Sequence, residues 1–194
     1  HCPDWPEEVT VGFRAGAPLL ELKLEIDSMD SVDLRNACEK ELETIVGEFI
    51  VGENDDSLAS VVVDLLQQRK QQITVAESCT GGMIASQLTG VSGVSSVFEA
   101  GFVSYSNAIK QTVLGVDNHL IEQFGAVSEQ VVRAMALGAI EFSSADYAIA
   151  VSGIAGPSGG TEEKPVGTVW IAWGDRDNLQ SHRFNYPVSR QFFQ

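Results

Sequence analysis

The stretch Val75-Ala76-Glu77-Ser78-Cys79-Thr80-Gly81-Gly82 constrains the fold of this chain more than any other. A β-branched run from Ile73 ends there in a carboxylate, two hydroxyls, a thiol and a glycine pair, and an apolar helical pattern begins at Met83. Strand, polar turn and helix in that order put Ser78 where the free amides of a helix N-terminus point and where open α/β sheets bind ligands. The same residues also read as an ordinary helix cap, because Ser and Thr are favoured at that position. The rest of the chain has to separate the two readings.

The order repeats downstream. A strand near Phe98 to Ser104 delivers Tyr105, then Ser106 and Asn107 as cap candidates, then a helix with Ile109, Lys110, Val113 and Leu114 that Gly115 can end. A further helix is expected from Ser128 or Glu129 through Phe142, burying Val131, Val132, Met135 and Ile140. The apolar strand Tyr147 to Val151 then empties into the glycine-dense loop Ser152 to Gly160. Its glycines permit positive φ and close backbone approach, which suits a phosphate or ribose and equally a surface turn. Thr168 to Ala172 and Gln180 to Tyr186 read as a hairpin, their short connection making them antiparallel. Ahead of all this, Ser57 can cap a helix whose apolar stripe is Leu58, Val61, Val62, Leu65 and Leu66.

The first fifty residues differ in character. Glu8 to Arg14 and Leu19 to Ile26 alternate like paired strands around a turn at Gly16 to Pro18, and Leu34, Cys38, Leu42 and Ile45 fall at helical spacing up to Val46. Glu48 to Val51 reads as a third strand, and the polar run Gly52 to Asp56 as a joint. Two domains are therefore expected, a small α+β accessory unit over 1–54 and a larger unit over 55–194. Residues 1 to 56 carry fifteen acids against four bases, out of a net charge of −15 for the whole chain. That balance repels phosphate backbones and argues against a nucleic-acid partner. No apolar run is long enough to span a bilayer, and His1 to Trp5 lacks the basic and apolar regions of a signal peptide, so a cytoplasmic protein is expected. Cys2, Cys38 and Cys79 are odd in number and far apart, which fits a reducing compartment better than a disulfide framework.

A serine nucleophile needs a base. His119, in an expected loop, and His182, on an alternating strand, read more readily as surface or strand residues than as that base. Lysine is the other common partner, and Lys110 follows the turn of the second strand-to-helix unit. Adjacent parallel strands would bring Ser78 and Lys110 to one rim of the sheet, although an exposed helix lysine is the commoner use of such a residue. Lysine accepts a proton near neutrality only if burial lowers its pKa from about 10.4. Tyr105 could relay the proton or support an oxyanion, or could simply pack. No His, Cys or carboxylate cluster has metal-ligand spacing, and neither a metal nor a cofactor is expected.

Six ordered motifs carry a resemblance: Ala76 to Gly82; Tyr105-Ser106-Asn107 with Lys110; Leu114-Gly115-Val116; Gly125 to Ser128; Ser152 to Pro157; and Lys164 to Val169. Together they resemble the C-terminal domain of the competence/damage-inducible CinA family over about residues 57 to 194, and residues 3 to 51 look like the family's small KH-type middle domain. The resemblance implies an α/β three-layer sandwich with a mostly parallel sheet, preceded by the KH-like unit. It also implies hydrolysis of nicotinamide mononucleotide to nicotinate mononucleotide and ammonia, with Ser78 as nucleophile and Lys110 and Tyr105 as proton-transfer partners. Glu77, Thr80, Asn107 and Ser152 match polar positions of the family's site, Ser152 standing where many members carry Thr. Arg190 matches an arginine suited to the substrate phosphate. Gly153 and Gly156 of the glycine loop would hold the ribose and phosphate, and the amides of Thr80, Gly81 and Gly82 are candidates for the oxyanion. Relative to the family pattern, the nucleotide-binding N-terminal domain is absent and the C-terminal helix after Arg190 is short. A nucleotide-binding or scaffold module without catalysis is the alternative. A homodimer is expected as the common state of such enzymes.

Overall fold

The computed structural model describes residues 5–16 and 19–194, so the expectations placed on residues 1–4 and on the turn at 17–18 lie outside it. Two compact units divide between Asp55 and Asp56. In the first, β1 (Val9–Gly16) pairs antiparallel with β2 (Leu19–Ile26), and α1 (Val32–Val46) packs on the hairpin. Val9 and Cys38 are buried, whereas Phe13, Leu20 and Ile45 stay exposed. The expected third strand does not form. Gly47–Phe49 makes a single 3-10 turn closed by the Ile50 amide on the Gly47 carbonyl, and Phe49, Ile50 and Val51 are exposed. Strand propensity there finds no neighbouring strand to pair with, and β preference is expressed through such neighbours.

The second unit is a three-layer α/β sandwich. Its helices are α2 (Leu58–Arg69), α3 (Met83–Thr89), α4 (Asn107–Leu114), α5 (Asn118–Phe124), α6 (Glu129–Ser143) and α7 (Arg190–Phe193). Its strands are β3 (Ile73–Glu77), β4 (Phe98–Val103), β5 (Tyr147–Gly153), β6 (Thr168–Gly174) and β7 (Gln180–Asn185), in spatial order β4-β3-β5-β6-β7. β3 runs parallel to β4 and β5, β6 is antiparallel to β5, and β7 is antiparallel to β6, so four of the five strands point one way. Ser57 caps α2 in a reciprocal box with Ser60, satisfying amides that the first turn leaves open.

Strand alternation separates two cores. Ile73 and Val75 pack with Val63, Leu66 and Leu88 under α2 and α3, while Ala76, Ala148, Ala150 and Ala172 face Val131, Val132, Met135 and Ile140 of α6. Alanines on that face let α6 lie close to the sheet. The helix after β3 thus covers one face and the helix after β4 the other. The C-terminal ends of these adjacent strands are therefore a topological switch point, where α/β sheets open a crevice. The helix α5 falls where the sequence suggested a loop: Asp117 caps it through the His119 amide, and Ile121 anchors it in the core. Among the described residues no helix is long and apolar enough to cross a membrane.

Candidate active site

The turn that carries Ser78 leaves β3 at Glu77. The Ser78 amide donates to the Val151 carbonyl at 3.0 Å, and the Glu77 carbonyl accepts from the Ser104 amide at 2.8 Å, so both neighbouring strands hold the turn. Gly81 and Gly82 have φ of 62° and 102°, a left-handed pair that an L side chain would strain, and the chain reverses through them into α3. Glu77 itself is completely buried. Its carboxylate turns back onto the helix start and accepts from the amides of Gly82, Ile84 and Ala85 at 2.9, 3.2 and 2.8 Å. Three charge-assisted bonds at the positive end of a helix account for an acid held without a cation.

Lys110 comes from the next strand-to-helix unit. Ser106 caps α4 through the Ile109 amide, and one turn later Lys110 reaches inward with 1% of its surface exposed. Its Nζ lies 3.0 Å from Ser78 Oγ, 2.7 Å from the Ser104 carbonyl oxygen and 3.3 Å from that of Tyr105. Burial pushes the lysine below its ordinary pKa, against an opposing pull from Cys79. Nζ donates to all three oxygens; in the neutral form it would keep two N–H groups for the carbonyls and turn a lone pair to the Ser78 hydroxyl. A buried serine–lysine pair of this kind can activate the serine for attack on an acyl carbon.

A cleft of about 230 Å³ opens over the pair. Ser78, Tyr105, Asn107, Lys110, Ser152, Gly153 and Arg190 line it, seven of the residues expected from sequence. Ser152 donates to the Ala126 carbonyl at 2.8 Å and so ties β5 to the segment before α6. Arg190 donates to the Gly156 carbonyl at 3.1 Å and to the Tyr105 hydroxyl at 3.2 Å. Gly156 therefore reaches the site through Arg190. Tyr105 meets Lys110 only through its carbonyl, its hydroxyl being turned to the guanidinium.

Glu77, Thr80, Gly81 and Gly82 do not line the cleft. The expectation that the amides of Thr80, Gly81 and Gly82 serve an oxyanion is corrected for two of them, since Gly81 donates to the Ser78 carbonyl and Gly82 to Glu77. Thr80 Oγ1 is buried with no partner among the described residues. Cys79, Ala126, Val127 and Ala155 line the cleft without having been assigned to it. Cys79 was signalled by its place beside Ser78. The other three, in the motifs Gly125 to Ser128 and Ser152 to Pro157, are apolar residues with no side-chain chemistry to single them out. Burial raises the Cys79 thiol to about 11, despite the pull of its own amide, of Lys110 and of the Thr80 amide, which disfavours the thiolate as a competing nucleophile.

Residues 55–194 match the family model described as the CinA C-terminal domain. The chain belongs to the CinA family. It is 51% identical over 195 residues to a CinA-like protein of Colwellia psychrerythraea, covering 99% of this chain and 45% of that protein. A CinA-like protein of Akkermansia muciniphila is 48% identical over 156 residues, covering 80% and 38% respectively. The chain thus spans less than half the length of these curated relatives. Among solved structures, the competence/damage-inducible protein CihA of Agrobacterium tumefaciens superposes with a TM-score of 0.68 at 43% identity, over 70% of this chain and 84% of that one. A CinA-superfamily protein of Escherichia coli gives 0.69 at 33% identity, over 76% and 89%. This CinA-family chain accordingly has the mixed sheet and flanking helices of those structures.

Proposed function

We propose that the chain is an amidohydrolase that converts nicotinamide mononucleotide to nicotinate mononucleotide and ammonia through a covalent Ser78 ester. The observation that carries this reading is the 3.0 Å contact between Ser78 Oγ and a buried Lys110 whose pKa is lowered. Neutral Lys110 takes the Ser78 proton as Oγ attacks the carboxamide carbon. The resulting ammonium returns that proton to the leaving nitrogen, the C–N bond breaks, and ammonia departs. Water then adds to the ester carbonyl, again losing a proton to Lys110, and the acid is released as Ser78 is reprotonated. Donors aimed at the oxyanion are required. With Gly81 and Gly82 committed elsewhere and Thr80 outside the cleft, the Cys79 amide is the proposed donor. Arg190 has guanidinium N–H groups beyond its two bonds and suits the substrate phosphate. Tyr105, turned toward Arg190, is assigned to that anionic end rather than to a proton shared with Lys110.

The test is ammonia release from nicotinamide mononucleotide by the wild type and by Ser78→Ala. The expected result is turnover that the substitution abolishes; undiminished turnover in the variant would remove Ser78 as nucleophile. Calorimetric binding of the mononucleotide without any ammonia release would favour a non-catalytic module instead.

A further inference from the structure

The geometry points to Gly138, which lies outside the cleft, as the residue that positions Lys110 against Ser78. Gly138 sits in the middle of α6, and a Cβ built on it would lie 1.9 Å from the Leu114 carbonyl oxygen and 2.7 Å from the Leu114 carbonyl carbon. Both are backbone atoms, so no side-chain rotation relieves the overlap. The last turn of α4 is thus seated directly on the α6 backbone at a place where any other residue would hold it off.

Lys110 lies one turn before Leu114 and is bonded to that end of the helix. The Lys110 carbonyl accepts from the Val116 amide at 3.1 Å, and the Gly115 amide donates to Gln111 at 3.0 Å, closing residues 110 to 116 into one hydrogen-bonded unit. Leu114 and Val116, both buried in the core against α6, make this unit move with its contact on Gly138. Lys110 has little freedom to compensate, because its Nζ is held by Ser78, Ser104 and Tyr105 in a space with almost no exposure. Restoring an ordinary carbon-to-oxygen contact of 3.4 Å at Gly138 needs a displacement of about 1.5 Å, and a misplacement of only about 1 Å is enough to cost ~100-fold in rate. A lysine drawn away from the buried turn also regains water and with it a higher pKa.

The inference deepens the serine–lysine reading and rests on that reading for its turnover readout alone. The titration of Lys110 can be followed without substrate, from the ¹³Cε signal of labelled lysine assigned by its loss in Lys110→Met. Gly138→Ala is expected to raise the Lys110 midpoint and to lower ammonia release about 100-fold with a smaller change in KM. Gly115→Ala is the second variant. It meets nothing within 4 Å and strains only its own backbone at φ 64°, so it loosens the end of α4 without a clash and is expected to shift Lys110 the same way by less. Gly174→Ala is the control, with its Cβ 2.4 Å from the Asn178 carbonyl oxygen in the β6–β7 connection; it is expected to lower Tm and leave Lys110 unmoved. A folded Gly138→Ala or Gly115→Ala with the wild-type Lys110 titration overturns the assignment, as does an equal shift in Gly174→Ala. If the wild type releases no ammonia while the titration still responds to Gly138→Ala, the amidase reading falls and the positioning role stands.

Discussion

At the scale of single residues, the candidate site is set apart by an amine denied water. Lys110 is a residue type that is almost never fully buried, and here it is among the largest wholly buried side chains. Its neighbours are two carbonyls and a hydroxyl, none of them anionic, so burial outweighs stabilisation of the charged form. In the proposed mechanism the amine is neutral when it takes the Ser78 proton, so kcat/KM should rise with pH through a midpoint below the ordinary lysine value of about 10.4. Lys110→Arg installs a cation that cannot lose its proton, and should lower ammonia release by about 10² to 10⁴ with no such midpoint. A pH–rate series on both proteins checks this. Ser78 and Lys110 could be paired from sequence because each follows a strand-to-helix turn. The partner of the Tyr105 hydroxyl could not be, since Arg190 lies eighty-five residues away and reaches it only through the folded C-terminal segment.

At the scale of elements, Glu77 changes the reading of the turn that carries Ser78. From sequence it matched a polar position of a substrate site; in the fold it is the cap of α3. Because its carboxylate occupies the Gly82, Ile84 and Ala85 amides, the start of α3 is not open to a ligand at those donors. Glu77→Gln replaces one accepting oxygen by an NH₂ group that faces amide donors. It should destabilise the protein by about 1–3 kcal/mol, read from denaturant unfolding at neutral pH. A stability within a few tenths of the wild type would mean that the cap contributes little. This role was hidden in sequence because a carboxylate one residue before a serine can point either way, and only the path of the chain through Gly81 and Gly82 turns it back onto the helix. The expected strand at Glu48 to Val51 failed for a related reason: local preference cannot supply the neighbour that a strand requires.

At the scale of the whole molecule, the clusters that support the site all lie after residue 58. Both sheet faces and the Cys79, Val151 and Val169 cluster beside the active turn are complete within the second unit. A fragment of residues 56–194 should therefore unfold cooperatively and keep ammonia release within a few-fold of the full chain, measured by thermal melts and the same assay. Loss of folding in that fragment would show that the acidic first unit supports the second. Within the second unit the order of strands and helices other than α5, and the two polar turns, were legible in the sequence, because periodicity and turn chemistry are local properties. Tertiary structure alone decided which amides Glu77 occupies, that Tyr105 turns to Arg190, and that the α4 end rests on Gly138. Each of those contacts joins segments whose spacing is set by packing rather than by neighbours in the chain. The stretch from Val75 to Gly82 on its own offered either a helix cap or a site turn, while the depth of the lysine beside Ser78 came from the two helices packed around it.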